Sequence, residues 1–184
     1  IVPEGYKAFR IAVGGLKGGH SGIDIHLGRG NANRILFRLL RKCEREYGLR
    51  LASVDGGGLR NAIPREATAT VVVPDAVSDV FRTLAAGLES VLKEEFRGVD
   101  DAVTVRITDA RRPDSLIDPQ SQRQLIRAVR GCPDGVIRMN PSMPGLVQTS
   151  SNLARVTAGS GEILVHCLLR SSLDSEKADL GDRI

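Results

Sequence analysis

The 184-residue sequence has no tryptophan, only two tyrosines and four phenylalanines. Proteins that read unpaired nucleic acid stack bases on exposed aromatic rings, so this chain is poorly supplied for that class of function. Long apolar runs are missing too. No stretch approaches the roughly 18 consecutive apolar residues of a membrane helix, and the opening "IVPEGYKAFR" has neither an initiator Met nor the zones of a signal peptide. These features lead us to expect a segment cut from a longer protein, with no membrane partner. Cysteine is scarce: Cys43, Cys132 and Cys167 are an odd number without metal-type spacing. They exclude a disulfide framework and fit free thiols in a reducing, cytoplasmic compartment. Nor is there a block of like charge. The net charge is +4, and the arginines are scattered through the helical and strand patterns, as on solvated faces, so a polyanion-binding patch is not indicated.

What is present suits one domain with a core, since a chain of this length buries roughly 70% of its unfolded surface. In residues 6–13 Phe9, Ile11 and Val13 alternate on one face, the period of a half-buried strand. From Asn31 to Tyr47, Ala32, Ile35, Leu36, Leu39, Leu40 and Cys43 recur at three- and four-residue steps, and Gly48 is a natural stop. Residues 49–57 and 66–74 read as strands around a loop too rich in glycine for regular structure. Asp75 is the expected cap of a second helix that buries Val77, Val80, Phe81, Leu84, Leu88, Val91 and Leu92. A strand over 102–108 completes strand, helix, strand, strand, helix, strand. That order predicts an α+β fold, a ferredoxin-like split βαβ sheet with helices on one face. A third helix follows, with Asp118 as cap, Pro119 at its first position and Gly131 as terminator. Residues 135–139, 146–157 and 162–170 then extend the sheet with further antiparallel strands, the last two joined by the tight turn "AGSG". After Arg170 a capping pattern at Ser172 or Asp174 announces another helix.

The run "GGLKGGHSGIDIHLGRGNANR", residues 14–34, invites several chemistries. A phosphate loop needs Lys-Ser/Thr after its last glycine, and here His20-Ser21 stands in that place. "GHSG" is one residue short of a GxSxG nucleophile turn. His20 and His26 are six apart, unlike zinc-binding spacings, and no carboxylate pair accompanies them, so no metal site is expected in this chain. His166, on the last strand, shares a face with Leu164, Leu168 and Arg170, and a satisfied structural histidine is the plainer reading. His20 lies between glycines directly after a strand, where its ring either projects toward a ligand or sits in water. Asn61, in "GGGLRNAIP", is either a turn residue or an amide that binds through both donor and acceptor. Arg170 ends an apolar strand, where a guanidinium either snorkels or clamps a carboxylate. The local pattern leaves each pair of alternatives open.

Taken together, "GGLKGGHSGIDIHLGRGNANR", "GGGLRNAIPREA", "PGLVQTSSNLARV" and "LLRSSLDS" closely resemble the bacterial aminoacyl-histidine (Xaa-His) dipeptidases of the dizinc aminoacylase and carboxypeptidase superfamily. The resemblance covers essentially the whole chain. It implies that residues 1–172 are a lid, or dimerisation, domain inserted in a catalytic domain, and that 173–184 begin the return helix. It implies a homodimer and two zinc ions bound by catalytic segments with no counterpart here, so that this chain alone is inactive. His20 then corresponds to the histidine that approaches the scissile carbonyl, and Asn61 and Arg170 to substrate-binding residues. Many relatives in the wider superfamily carry an arginine on the strand after "N-x-IP". That strand here reads "ATATVVVP", which leaves Arg170 as the candidate carboxylate clamp. Two other readings compete: an RNA-binding ferredoxin-like module, and a purely structural dimerisation domain.

Overall fold

The computed structural model describes residues 2–184. The first part of the chain runs β1 (Tyr6–Gly14), β2 (Gly19–His20), α1 (Ala32–Tyr47), β3 (Arg50–Gly57), β4 (Ala62–Ile63), β5 (Ala67–Pro74), α2 (Ser78–Glu95) and β6 (Thr104–Asp109). Its four long strands lie in the order β6-β1-β5-β3, and every pair is antiparallel. This is the ferredoxin-like arrangement expected from the element order. The chain continues with α3 (Pro119–Gly131), β7 (Gly135–Met139), β8 (Val147–Gly159), β9 (Glu162–Ser171) and α4 (Asp174–Asp182). β8 extends the sheet. One of its edges carries β3 along the C-terminal half and β7 along the N-terminal half, and the other edge carries β9. The β8–β9 turn has positive φ at Ser160 (52°) and Gly161 (85°), the two central positions of a hairpin whose twist suits the flanking strands.

Local chemistry sets the element ends. Asn31 caps α1, its side chain accepting from the N–H groups of Asn33 (2.9 Å) and Arg34 (3.4 Å). Gly48 ends that helix at φ 63°, a left-handed conformation that glycine adopts without a Cβ penalty, and its N–H returns to the Cys43 carbonyl. Asp118 caps α3 by accepting from Gln120 and Ser121 (3.0 Å each), with Pro119 first in the helix. The core lies between the sheet and these helices: Phe9, Ile11, Leu36, Phe37, Leu40, Leu51, Val71, Phe81 and Val156 are all fully buried. Gln122 docks α3 on the start of β3, accepting from Leu51 N–H (2.7 Å) and donating to the Leu49 carbonyl (3.0 Å). α4 lies on the same side, because Gly181 abuts Leu169, which alternates with the core-packed Cys167 and Val165. The helices thus occupy one face.

Four expectations need correction. Asp75 does not cap α2; a 3-10 turn spans Asp75–Val77, and the helix begins at Ser78 with no side-chain cap. Val80 and Val91 are exposed, because α2 lies at the margin of the sheet and only part of its apolar stripe meets the core. The glycine-rich loop between β3 and β5 is not without regular structure, because β4 lies in it and pairs with β2. α4 begins after Leu173 without a side-chain cap, so neither Ser172 nor Asp174 serves as one. The cysteines are free as expected. Cys43 is buried and its thiol is pushed up to about 12 by desolvation, whereas Cys132 and Cys167 are half-buried with sulfurs 3.3 Å apart.

Candidate functional site

β2 and β4 form a two-stranded sheet of their own, with His20 opposite Ala62 and Gly19 opposite Ile63. The next residue continues the ladder, Ser21 N–H donating to the Asn61 carbonyl at 2.8 Å. Two glycine-rich loops, 42 residues apart by the His20–Ala62 pairing, are therefore bound edge to edge. Asn152 of β8 fastens them to the large sheet. Its side-chain amide donates to the carbonyls of Arg60 (3.2 Å) and Ala62 (2.9 Å), the groups on either side of Asn61.

In the β8–β9 ladder Asn152 faces Leu168 and Ser150 faces Arg170. By strand alternation Leu168 and Arg170 point opposite to Cys167 and Leu169, so this part of the sheet displays them on the face away from the helices. Arg170 reaches the loops. Its Cζ and Nε lie 3.2 Å from where a Cβ on Gly22 would sit, and the Cε1 of His20 lies 3.2 Å from the same point. The structure therefore brings His20, Asn61 and Arg170 to one corner. His166 stays apart, exposed and in register with Arg155, and is not the packed structural histidine that the strand pattern suggested.

The His20 turn is tightly specified. Its N–H donates to the Asp24 carboxylate (2.8 Å), which pairs with Arg29 (3.3 Å), and the Arg29 guanidinium donates to the Gly18 carbonyl (2.6 Å). The ring's Nδ1 accepts from two backbone amides, Gly22 N–H and Ile23 N–H, both at 3.2 Å. Flanking the polar trio are two strongly exposed apolar side chains, Ile23 (71%) and Leu59 (72%).

The N-terminal half of β8 carries a feature that strand periodicity does not single out. Gln148, Thr149, Ser150, Ser151 and Asn152 are five consecutive polar residues, all buried, in a strand that pairs on both edges. The Oγ of Ser21, the Oγ of Ser151 and the Oδ1 of Asn152 have no hydrogen-bond partner. Buried polar atoms are normally satisfied, so this concentration marks a place where the fold gives up stability. The available signal was the unbroken polar string "QTSSN" within a strand pattern. Nearby, Asp134 joins β8 to the α1 cap by accepting from Leu153 N–H (2.8 Å) and from the Asn31 side chain (3.1 Å). Burial holds its carboxyl above the usual range, against the opposing pull of those bonds and of Arg34.

Among the described residues no group of three or more His, Cys, Asp or Glu is placed to hold a metal ion. No helix of the described residues is long and apolar enough to cross a membrane.

A model of the peptidase dimerisation domain matches residues 11–100. The cytosol non-specific dipeptidase of Escherichia coli K12 is 39% identical over 176 residues, 96% of this chain and 36% of that protein. Among solved structures, the aminoacylhistidine dipeptidase of Vibrio alginolyticus superposes with a TM-score of 0.95 at 36% identity, over 98% of this chain and 37% of that one. The chain spans little more than a third of the length of either relative. The fold, the loop pairing and these similarities lead to one assignment: the chain belongs to the peptidase dimerisation domain family.

Proposed function

We propose that residues 1–172 form the substrate-covering lid of a cytoplasmic, homodimeric dipeptidase that hydrolyses Xaa-His dipeptides, with 173–184 leading back toward its catalytic domain. The observation that supports this reading is that the His20 imidazole and the Arg170 guanidinium meet at Gly22, with the backbone of Asn61 bound to the next residue, Ser21. Two zinc ions, held by residues outside this chain, would supply the activated water. The lid's own residues bind and orient. His20 offers a hydrogen bond to the carbonyl oxygen as it gains negative charge, Arg170 matches the free carboxylate of a dipeptide with a planar fork, and Asn61 donates to or accepts from the peptide. Exposed Ile23 and Leu59 supply an apolar rim that excludes water when the lid meets the catalytic face.

Pairing with a second copy is supported by the exposed Val80 and Val91 on α2 and by the outer edge of β6, the terminal strand of the sheet. The RNA-binding alternative lacks a stacking surface. Phe9, Phe37 and Phe81 are fully buried, and Phe96 and Tyr47 pack against the core. A dimerisation domain whose loops do no chemistry is separated from the lid by one experiment. His20→Ala in the full-length enzyme should lower kcat by about 10²–10³-fold, the cost of losing a preorganised oxyanion donor, with bound zinc unchanged. Turnover at the wild-type level would reject the lid reading.

A further inference from the structure

The hydrogen bonds around His20 carry information beyond its position. A neutral imidazole has one N–H donor and one lone-pair acceptor, and which nitrogen is which is set by its partners. Both groups that approach Nδ1 are backbone N–H donors, from Gly22 and Ile23. Neither can accept, so Nδ1 carries the lone pair and the proton resides on Nε2. The arrangement is the ring counterpart of an Asx turn, in which a side-chain acceptor satisfies the amides two and three residues on. It requires the backbone of 20–24 to stay folded under the ring. That fold is secured at its start by the Asp24 carboxylate on His20 N–H, by the Asp24–Arg29 pair, by Arg29 on the Gly18 carbonyl, and by the backbone bond from Asp24 N–H to the His20 carbonyl (2.8 Å). Gly22 contributes through size alone. It does not occupy a left-handed conformation, but a Cβ there would press on both His20 Cε1 and the Arg170 guanidinium.

We propose that Asp24 and Arg29 are positioning residues that lock His20 into a single tautomer, with Nδ1 turned into the loop as an acceptor and Nε2–H presented outward. His20 then serves only as a hydrogen-bond donor, and not as a base that removes a proton from water or substrate. The catalytic consequence rests on the lid reading above, whereas the tautomer does not.

The test is nitrogen NMR on the 15N-labelled 184-residue chain, at a pH where the ring is neutral. Long-range proton–nitrogen correlations of His20 should show Nδ1 as the unprotonated nitrogen and Nε2 as the protonated one. His26 and His166, which lack such partners, serve as internal references. The reverse assignment, or averaged shifts on both nitrogens, overturns the proposal, and this arm needs no variant. Asp24→Ala and Arg29→Gln should move the His20 nitrogens toward averaged values while the rest of the amide spectrum keeps its dispersion; a ring still locked in both variants removes their positioning role. In the full-length enzyme Asp24→Ala should lower kcat by about tenfold with KM changed less than about twofold, the signature of an interaction realised in the transition state. A rise in KM alone would contradict it. The two failures are distinguishable: a locked ring with full turnover in His20→Ala rejects only the catalytic reading, and an unlocked ring with turnover lost in His20→Ala rejects only this inference.

Discussion

Where α1 and α2 cover β1, β3 and β5, the buried contacts are dominated by Phe9, Ile11, Leu36, Phe37, Leu51, Val71 and Phe81, with Asn33 of α1 a buried polar side chain at the end of β3, donating to the Gly56 carbonyl. On the N-terminal half of β8 the buried residues Gln148 to Asn152 are all polar, Gln148 and Thr149 bonding to Glu176 of α4 and Asn152 to the glycine-rich loop at 60–62, and oxygens of Ser21, Ser151 and Asn152 have no partner. The first region is held by the removal of apolar surface from water, which is insensitive to direction. The second is held by a few directional bonds, Asn152 to the Arg60 and Ala62 carbonyls foremost. Such a region gains little stability from its burial, but it fixes where His20 and Asn61 stand relative to Arg170. The division of labour is that of a rigid scaffold carrying a polar, shaped surface.

The contrast can be broken most severely through the core. Phe37→Ala, at a fully buried site on α1, should cost about 3–5 kcal/mol in denaturant-induced unfolding, as large-to-small changes at such sites do. A loss of under 1 kcal/mol would mean that the helical face is not the energetic centre. Asn152→Ala should cost less, about 1–3 kcal/mol. Its effect should be local: amide exchange should accelerate at 19–21 and 60–63 while β1 and β5 keep their protection. Acceleration throughout the sheet would show that the two regions are one cooperative unit.

The smallest effect sharpens the comparison at an exposed position that belongs to neither region. Ser121, through its side chain first and its N–H second, together with the Gln120 N–H, holds the Asp118 carboxyl below the usual carboxylate range. A depressed folded-state value makes ionised Asp118 a stabilising cap above the unfolded value of about 3.9, and that contribution is lost as pH falls through the lower folded value. Thermal unfolding followed below about pH 4 should therefore show a slightly weaker acid destabilisation in Asp118→Asn, whose cap does not titrate. Identical pH profiles would remove the cap's electrostatic share.

The long elements were legible because their patterns are local and repeated. The apolar steps through α1, the alternation in β1 and the Asp118 cap followed by Pro119 each name an element without reference to the rest of the chain. α2 shows the limit of that legibility. Its stripe was correctly periodic, but whether Val80 and Val91 are covered depends on how far the sheet extends beneath them. β2 and β4 were illegible for a related reason: two residues cannot display a period, and each strand exists only because the other is beside it. At the candidate site, His20, Asn61 and Arg170 stood out by residue type and by family resemblance. Asn152, Asp24 and Arg29 did not, because an amide, a carboxylate and a guanidinium that hold backbone groups look the same in a sequence as ones that face water.

By itself, then, the sequence determined an α+β chain of ferredoxin-like order extended by a β8–β9 hairpin, without membrane helices. Composition, period and capping chemistry act over a few neighbouring residues and are written there. Only the tertiary structure decided that segments around residues 20, 61, 152 and 170 share one corner, and which nitrogen of His20 looks outward. The shared corner arises from hydrogen bonds between residues tens of positions apart and from space left by an absent Cβ at Gly22, and the outward nitrogen from how the folded turn aims the Gly22 and Ile23 amides at the ring.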